Sequence, residues 1–190
     1  MEPMPSTELS VEDQQALRQI ARASIEYALE NGKPLRPDPA ELSEVLLAPG
    51  ACFVTLLQDG SLRGCIGSLE AVRPLAEDVA ENAFAAAFRD PRFSSLSKSE
   101  WDRCEIEISV LTPAVDLPVS SEEDLVEHLV PGKHGVILKC GSRRATYLPS
   151  VWEMLPDPYQ FIGELKRKAG LPREYWGADI KIEIYSAIKF

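Results

Sequence analysis

The first pattern along this chain has the period of a helix. Leu17, Ile20, Ala21, Ser24 and Ala28 fall on one face over residues 10–32, with Leu17 and Ile20 as the main anchors. Ser10 before Val11-Glu12-Asp13 supplies an N-cap with an acid at the third helical position, and Asn31-Gly32 supplies the stop. Residues 1–9 are expected to be disordered, which leaves 10–190 as one domain. Lys33 to Pro39 holds three prolines and reads as an extended connector. A short apolar piece, Leu42 to Leu47, ends at Pro49-Gly50.

The period then changes to two. Cys52 to Leu57 is rich in apolar and β-branched residues, Asp59-Gly60 is a hairpin turn, and Leu62 to Gly67 returns. Alternation places the Cys65 side chain on one face with Arg63 and Gly67. Pro74 opens a second helix, striped by Leu75, Val79, Ala83 and Ala86 and extended by Phe84 and Phe88, with Asn82 beside the stripe. It stops at Arg89-Asp90-Pro91-Arg92-Phe93.

Glu105 to Leu111 is a strand with Ile106, Ile108 and Val110 on one side and Glu105, Glu107 and Ser109 on the other. Ser120-Ser121 caps a short helix through Leu129, and Pro131 to Gly135 is a tight loop. Val136 to Leu138 and Arg144 to Leu148 form a second hairpin around Gly141, followed by one or two helical turns over 149–155. Tyr159 to Ala169 is amphipathic, with Phe161, Ile162 and Leu165 inward and Lys166-Arg167-Lys168 outward. The last strand sets Ile180, Ile182, Ile184 and Ile188 against Lys181, Glu183, Tyr185 and Lys189. Two hairpins without βαβ regularity predict an α+β fold with a mostly antiparallel sheet.

The chain has 190 residues, 45% hydrophobic and 26% charged, an ordinary globular composition. No run reaches the ~20 apolar residues of a membrane span, and the N-terminus carries no secretory pattern, so the expected location is the cytoplasm. Cys52, Cys65, Cys104 and Cys140 stand far apart with no CxxC pair, which fits reduced thiols and names no zinc site. A net charge of −10 argues against bulk nucleic-acid binding. The last 58 residues nevertheless hold 10 basic and 6 acidic side chains, enough for one small anionic ligand or for an unremarkable solvated face.

Candidate chemistry concentrates in Leu62-Arg63-Gly64-Cys65-Ile66-Gly67. Glycine within a strand marks the close approach of a ligand or another backbone, which makes Gly64 and Gly67 candidate ligand contacts. Cys65 is a candidate nucleophile, with Arg63 to favour its thiolate, or else a small buried hydrophobe. His134 is the attractive base; His128, among acids, is a surface residue, and two histidines make no catalytic metal set. Glu107 is either a surface acid or a general base in a cleft. Arg63, Arg92, Arg143 and Arg144 are able to fork a carboxylate or phosphate. No triad, metal set or phosphate loop is evident, so the residues leave enzyme and binding module both open, and no cofactor is named.

The hexapeptide, Asn82 and Asp90-Pro91-Arg92-Phe93 resemble the AMMECR domain family. The likeness continues through Glu105 to Pro113, Pro131 to Val136, Arg144 to Pro149 and Lys168 to Leu171, and so covers Glu12 to Phe190. It implies a two-lobed α+β domain with the hexapeptide between the lobes. It also implies a place as component A of an AmmeMemoRadiSam system, with a Memo-like protein and a radical SAM protein as partners. The resemblance attaches no reaction; roles in transcription, repair, translation or RNA processing are the alternatives. The resemblance implies positions, not roles: Cys65 with its neighbours, Asn82, Arg92, Glu107 and His134 are expected around a shared cleft. Taken with the residue chemistry, the candidate catalytic residues are Cys65, Glu107 and His134, and the candidate ligand-binding residues are Arg63, Gly64, Gly67, Asn82, Arg92 and Arg144. Ser150 stands where many members carry glutamine and receives no role.

Overall fold

A computed structural model describes residues 9–190, and its first element begins at the cap the sequence supplies. Ser10 Oγ accepts from the Asp13 backbone N–H at 3.0 Å and opens α1 (Val11–Asn31). Gly32, at φ +69°, closes it with an N–H donated to Ala28 O, a conformation glycine takes without steric cost. Of the stretch 1–9 expected to be disordered, residues 1–8 lie outside the described residues, and Leu9 is described and is buried. Leu17 and Ile25 are the fully buried anchors of α1, and Ile20 is only partly buried.

Two compact units divide the chain. The first holds residues up to Leu111 together with Ile188–Phe190; the second is Thr112–Ala187. Both are built on antiparallel four-stranded sheets with helices, so the α+β expectation holds.

In the first unit, α2 (Glu44–Leu47) leads into a two-residue pairing of β1 (Pro49–Gly50) with β4 (Arg73–Pro74). The main sheet has the order β10-β5-β2-β3, from β2 (Cys52–Gln58), β3 (Ser61–Gly67), β5 (Cys104–Leu111) and β10 (Ala187–Lys189). Asp59 (φ +51°) and Gly60 (φ +78°) make the turn between β2 and β3, as two such residues allow. Cys52, Val54 and Leu56 of β2, with Ile108 and Val110 of β5, are buried in one core with α1 and α3 (Leu75–Phe88). A short α4 (Lys98–Trp101) delivers Trp101 to the same core through a capping box at Ser97.

The second unit orders its sheet β6-β9-β7-β8, from β6 (Val115–Asp116), β7 (Gly135–Cys140), β8 (Arg143–Tyr147) and β9 (Ile180–Tyr185). Its helices are α5 (Glu122–His128) and α6 (Pro158–Lys168). Val136, Leu138, Cys140, Ala145 and Ile182 form the core with Phe161, Ile162 and Leu165, and the Trp152 and Phe161 rings stack at 3.8 Å. The single last strand expected over 180–189 is interrupted at Ser186, and Ile188 belongs to the first unit.

Lys166 corrects the expectation of an outward basic stripe. It is 0% exposed, and its ammonium donates to Glu122 Oε2 at 2.6 Å. The reason is helical geometry: residue 166 lies one turn from Ile162 and beside Leu165, so its stem runs through the core while Glu122 of α5 meets the charge.

Candidate active site on the motif strand

A one-residue bulge decides how the hexapeptide is presented. Pairing runs Gln58↔Ser61 and Leu57↔Leu62, then shifts, so that Gly64 faces Leu56, Cys65 faces Thr55, Ile66 faces Val54 and Gly67 faces Phe53. Arg63 is the extra residue, and its side chain does not stay with Cys65. It turns to α4, where Nε donates to Glu100 Oε1 at 3.1 Å and Nη2 donates to Ser94 O at 2.9 Å. The expected shared face of Arg63, Cys65 and Gly67 therefore holds for Cys65 and Gly67 only, because a bulge breaks the period of two. Arg63 is 8% exposed, and its hydrogen bond, with those from the Ser97 backbone and hydroxyl, holds Glu100 at about 2.

Gly64 sits against a backbone. A Cβ there would come 2.1 Å from Ala86 O, so the missing side chain lets α3 lie directly on β3. At Gly67 a Cβ would come 2.2 Å from the Phe53 ring. Asn82 is buried and joins the two elements from the other end. Its Nδ2 reaches Asp78 Oδ2 at 2.9 Å, Cys52 O at 3.2 Å and Ser68 Oγ at 3.2 Å. Asp78, wholly buried, also accepts from Cys52 N and Ser68 Oγ and is paired with Arg73. Burial, with the Asp78 charge, pushes the Cys52 thiol up.

Cys65 is half-buried, whereas Cys52, Cys104 and Cys140 are buried, and all four are free thiols. Its backbone is saturated from the strand edge by the segment after α3. Cys65 N–H donates to Asp90 Oδ2 at 3.0 Å, and Arg92 Nη2 donates to Cys65 O at 3.4 Å. Arg92 also forks Asp90 through Nε at 3.0 Å and Nη2 at 2.7 Å, and that pairing holds the Asp90 carboxyl far below the usual carboxylate range. Because the Cys65 amide and carbonyl both point outward, Cys65 and Thr55 form the closely spaced kind of antiparallel pair. Accordingly Thr55 Oγ1 donates to Cys65 Sγ at 3.2 Å. Thr55 in turn faces Glu107 on β5, and Glu107 is ion-paired with Lys189. A row Cys65–Thr55–Glu107 thus crosses the sheet on the face opposite the core, with Lys189 at its end and Arg92 beside its start.

His134 and Arg144 lie in the second unit. His134 Nδ1 accepts from Val130 N at 3.2 Å, its carbonyl accepts from Trp152 Nε1, and burial with the Lys133 charge lowers its pKa. Arg144 is an exposed residue of β8 facing Lys139. Among the described residues no group of three His, Cys, Asp or Glu is placed to hold a metal ion, and no helix is long and apolar enough to cross a membrane.

Sequence reading missed Thr55, Lys189, Asp90 and Glu100. Thr55 and Lys189 depend on register across strands far apart in the chain. Asp90 was legible as a helix stop and as part of a motif, but not as the carboxylate that Arg92 forks.

These features define an α+β protein of two antiparallel-sheet units with a half-buried thiol on a bulged motif strand. Comparison with known proteins narrows the class. The AMMECR1 family profile matches residues 18–190. Protein MK0488 of Methanopyrus kandleri is 37% identical over 191 residues, covering 96% of this chain and 89% of that protein. Protein NEQ441 of Nanoarchaeum equitans is 38% identical over 175 residues, covering 89% and 93%. The crystal structure of the uncharacterized protein PH0010 from Pyrococcus horikoshii superposes with a TM-score of 0.78 at 32% identity, covering 91% of this chain and 88% of that one. The chain belongs to the AMMECR1 family.

Proposed function

We propose that this protein is an enzyme, or a component of one, that handles a small anionic molecule beside Cys65, within an AmmeMemoRadiSam-type system that also includes a Memo-like protein and a radical SAM protein. The observation that carries the reading is the Thr55 hydroxyl 3.2 Å from the Cys65 sulfur, with the Arg92 guanidinium fixed at the same residue's backbone. Arg92 is 54% exposed and commits Nε and Nη2 to Asp90, which leaves Nη1 to meet an anion next to the thiol.

Alkylation of the native protein tests this with a neutral and an anionic reagent. Iodoacetamide is expected to modify Cys65 before the three buried cysteines. Iodoacetate is expected to gain on iodoacetamide at Cys65 relative to a free thiol, and to lose that gain in Arg92→Gln. Cys65 labelling no faster than Cys104 defeats the reading.

One observation favours a second reading, a docking module without catalysis. The Cys65 sulfur meets the Thr55 hydroxyl, and the nearest acid along the row, Glu107, is engaged by Lys189. A complex with the Memo-like and radical SAM proteins that forms unchanged with Cys65→Ala favours docking.

A further inference from the structure

The connector between α1 and the turn at Pro39–Glu41 is held in place. Lys33, Arg36 and Asp38 each precede a proline, and a residue in that position is confined to extended backbone. Asp38 shows it, at φ −78° and ψ 116°. Ser24, wholly buried on α1, fixes the middle of this strap. Its Oγ accepts from the Leu35 N–H at 3.2 Å and donates to Ala80 O of α3 at 2.8 Å. Tyr27, about one helical turn after Ser24, lines a cavity of about 500 Å³ whose other walls are Lys33, Pro34, Leu35 and Arg36.

Both cations of that lining are uncommitted. Lys33 and Arg36 are exposed, and neither makes a hydrogen bond or an ion pair among the described residues. The acids nearby in the chain do not answer them. Glu26 is engaged by Arg22 and by the Trp101 Nε1–H, Asp38 accepts from the Ala40 N–H, and Glu30 is bonded to neither cation. The first unit holds 11 Lys and Arg against 19 Asp and Glu, and Arg22, Arg63, Arg73, Arg92, Arg103 and Lys189 are all ion-paired. Two cations left open around one cavity are therefore an exception to the charge balance of an acidic unit. The Tyr27 hydroxyl has no hydrogen-bond partner among the described residues either.

We infer that this cavity binds a phosphorylated ring compound of mononucleotide size. Three residues of extended chain set the Lys33 and Arg36 Cα atoms about 9 Å apart, and both long side chains reach from there to one phosphate, Arg36 as a fork and Lys33 as a point charge. The Tyr27 ring with Pro34 and Leu35 supplies the apolar wall on which a planar ring lies. Ligand cavities run from roughly 300 to 1,000 Å³ and combine such walls with a few polar groups. The prolines and the Ser24 tether hold the cations in place before the ligand arrives, which lowers the ordering cost of binding. A long nucleic acid is disfavoured because the chain carries −10 overall. Nothing in the inference uses Cys65.

Titration of the full chain with AMP, adenosine and inorganic phosphate, followed by backbone amide NMR, tests the site. AMP is expected to bind more tightly than either adenosine or phosphate, with saturable shifts centred on 24–36. Arg36→Glu, an exposed change that leaves the core alone, is expected to weaken AMP about tenfold or more by reversing one charge at contact range. Tyr27→Leu keeps an apolar side chain on α1 and is expected to weaken AMP several-fold while phosphate binding stays unchanged, a split that a misfolded variant does not produce. AMP binding no tighter than phosphate or adenosine, shifts elsewhere, or an Arg36→Glu protein that binds AMP like the native one overturns the inference. So does a single-stranded oligonucleotide that outcompetes AMP at about 150 mM salt, which would make the strap a nucleic-acid surface. The AMP shifts are expected to persist in Cys65→Ala; their loss there would place the nucleotide at the thiol and overturn this site.

Discussion

The two sheets follow one plan and differ in what they place on the face away from their helices. In the first, Cys65, Thr55 and Glu107 line up as thiol, hydroxyl and carboxylate. In the second, the corresponding line is Arg144, Lys139 and Lys181. The helix faces are alike: apolar, buried, and each crossed by an ion pair that reaches from one element to another. That pair is Arg63 with Glu100 in the first unit, where Asp78 and Asn82 are buried as well, and Lys166 with Glu122 in the second. The contrast teaches that packing fixes one side of each sheet and leaves the other side for chemistry. Substitutions on the helix side should therefore cost stability, and substitutions on the far side should change reactivity or binding with little cost.

The largest effect is expected at Gly64. Gly64→Val places a Cβ against Ala86 O, which is backbone and cannot swing aside. The loss should be about 3 kcal/mol or more, read from urea unfolding. A cost below 1 kcal/mol would show that α3 is not seated on β3. Next is Lys166→Ala, which opens a cavity and strands Glu122; about 2–3 kcal/mol is expected, with Lys166→Met recovering much of it by keeping the volume. Equal losses in the two variants would show that the ion pair, not the filled space, matters.

Asp90→Ala should cost less, about 1–2 kcal/mol, because it removes the acceptor for Cys65 N–H while Arg92 remains open to water. It should also let Arg92 move, and so abolish the iodoacetate preference at Cys65. Acid unfolding supplies a fourth test. Glu100 is held at about 2 by Arg63, below the ordinary glutamate value of about 4.3. A depressed folded-state value means stability that is complete above the unfolded value and lost as pH falls towards the folded one. Arg63→Met should therefore shrink the loss of stability between about pH 4.3 and 2 relative to the native protein. An unchanged acid limb would separate Glu100 from Arg63. The smallest stability effect is expected for Thr55→Val, under about 1 kcal/mol, since the lost partner is one hydrogen bond on a half-buried face. Its readout is the thiol: alkylation of Cys65 should slow several-fold, and no change in rate would remove Thr55 from the site.

Much of this was legible in the chain. The Ser10 cap, the Asp59-Gly60 turn, the alanine stripe of α3 and the alternation of β5 rest on contacts within a few residues or on a period, and both survive folding. The candidate residues were legible as types, and Arg63, Gly64 and Asn82 were legible as special positions. Their work was not: Gly64 makes room for Ala86 of α3, 22 residues later in the chain, and Asn82 ties that helix to Cys52. Lys166 was misread because a basic triplet looks solvated until a carboxylate 44 residues away arrives to meet its middle member.

By itself the sequence determined the α+β class, the element boundaries near caps and turns, and the family through its motifs. Only the tertiary structure decided which way the cysteine looks. Carried on from the two-residue turn without interruption, the register would set Cys65 against Val54, a residue of the buried core. The bulge at Arg63 moves every later residue by one and turns the sulfur to the opposite face, beside Thr55. What holds Arg63 out of line is Glu100 and the Ser94 carbonyl, 37 and 31 residues downstream. An interaction at that separation leaves no mark on the local pattern of apolar and polar positions, which is why the chain could announce the motif but not its orientation.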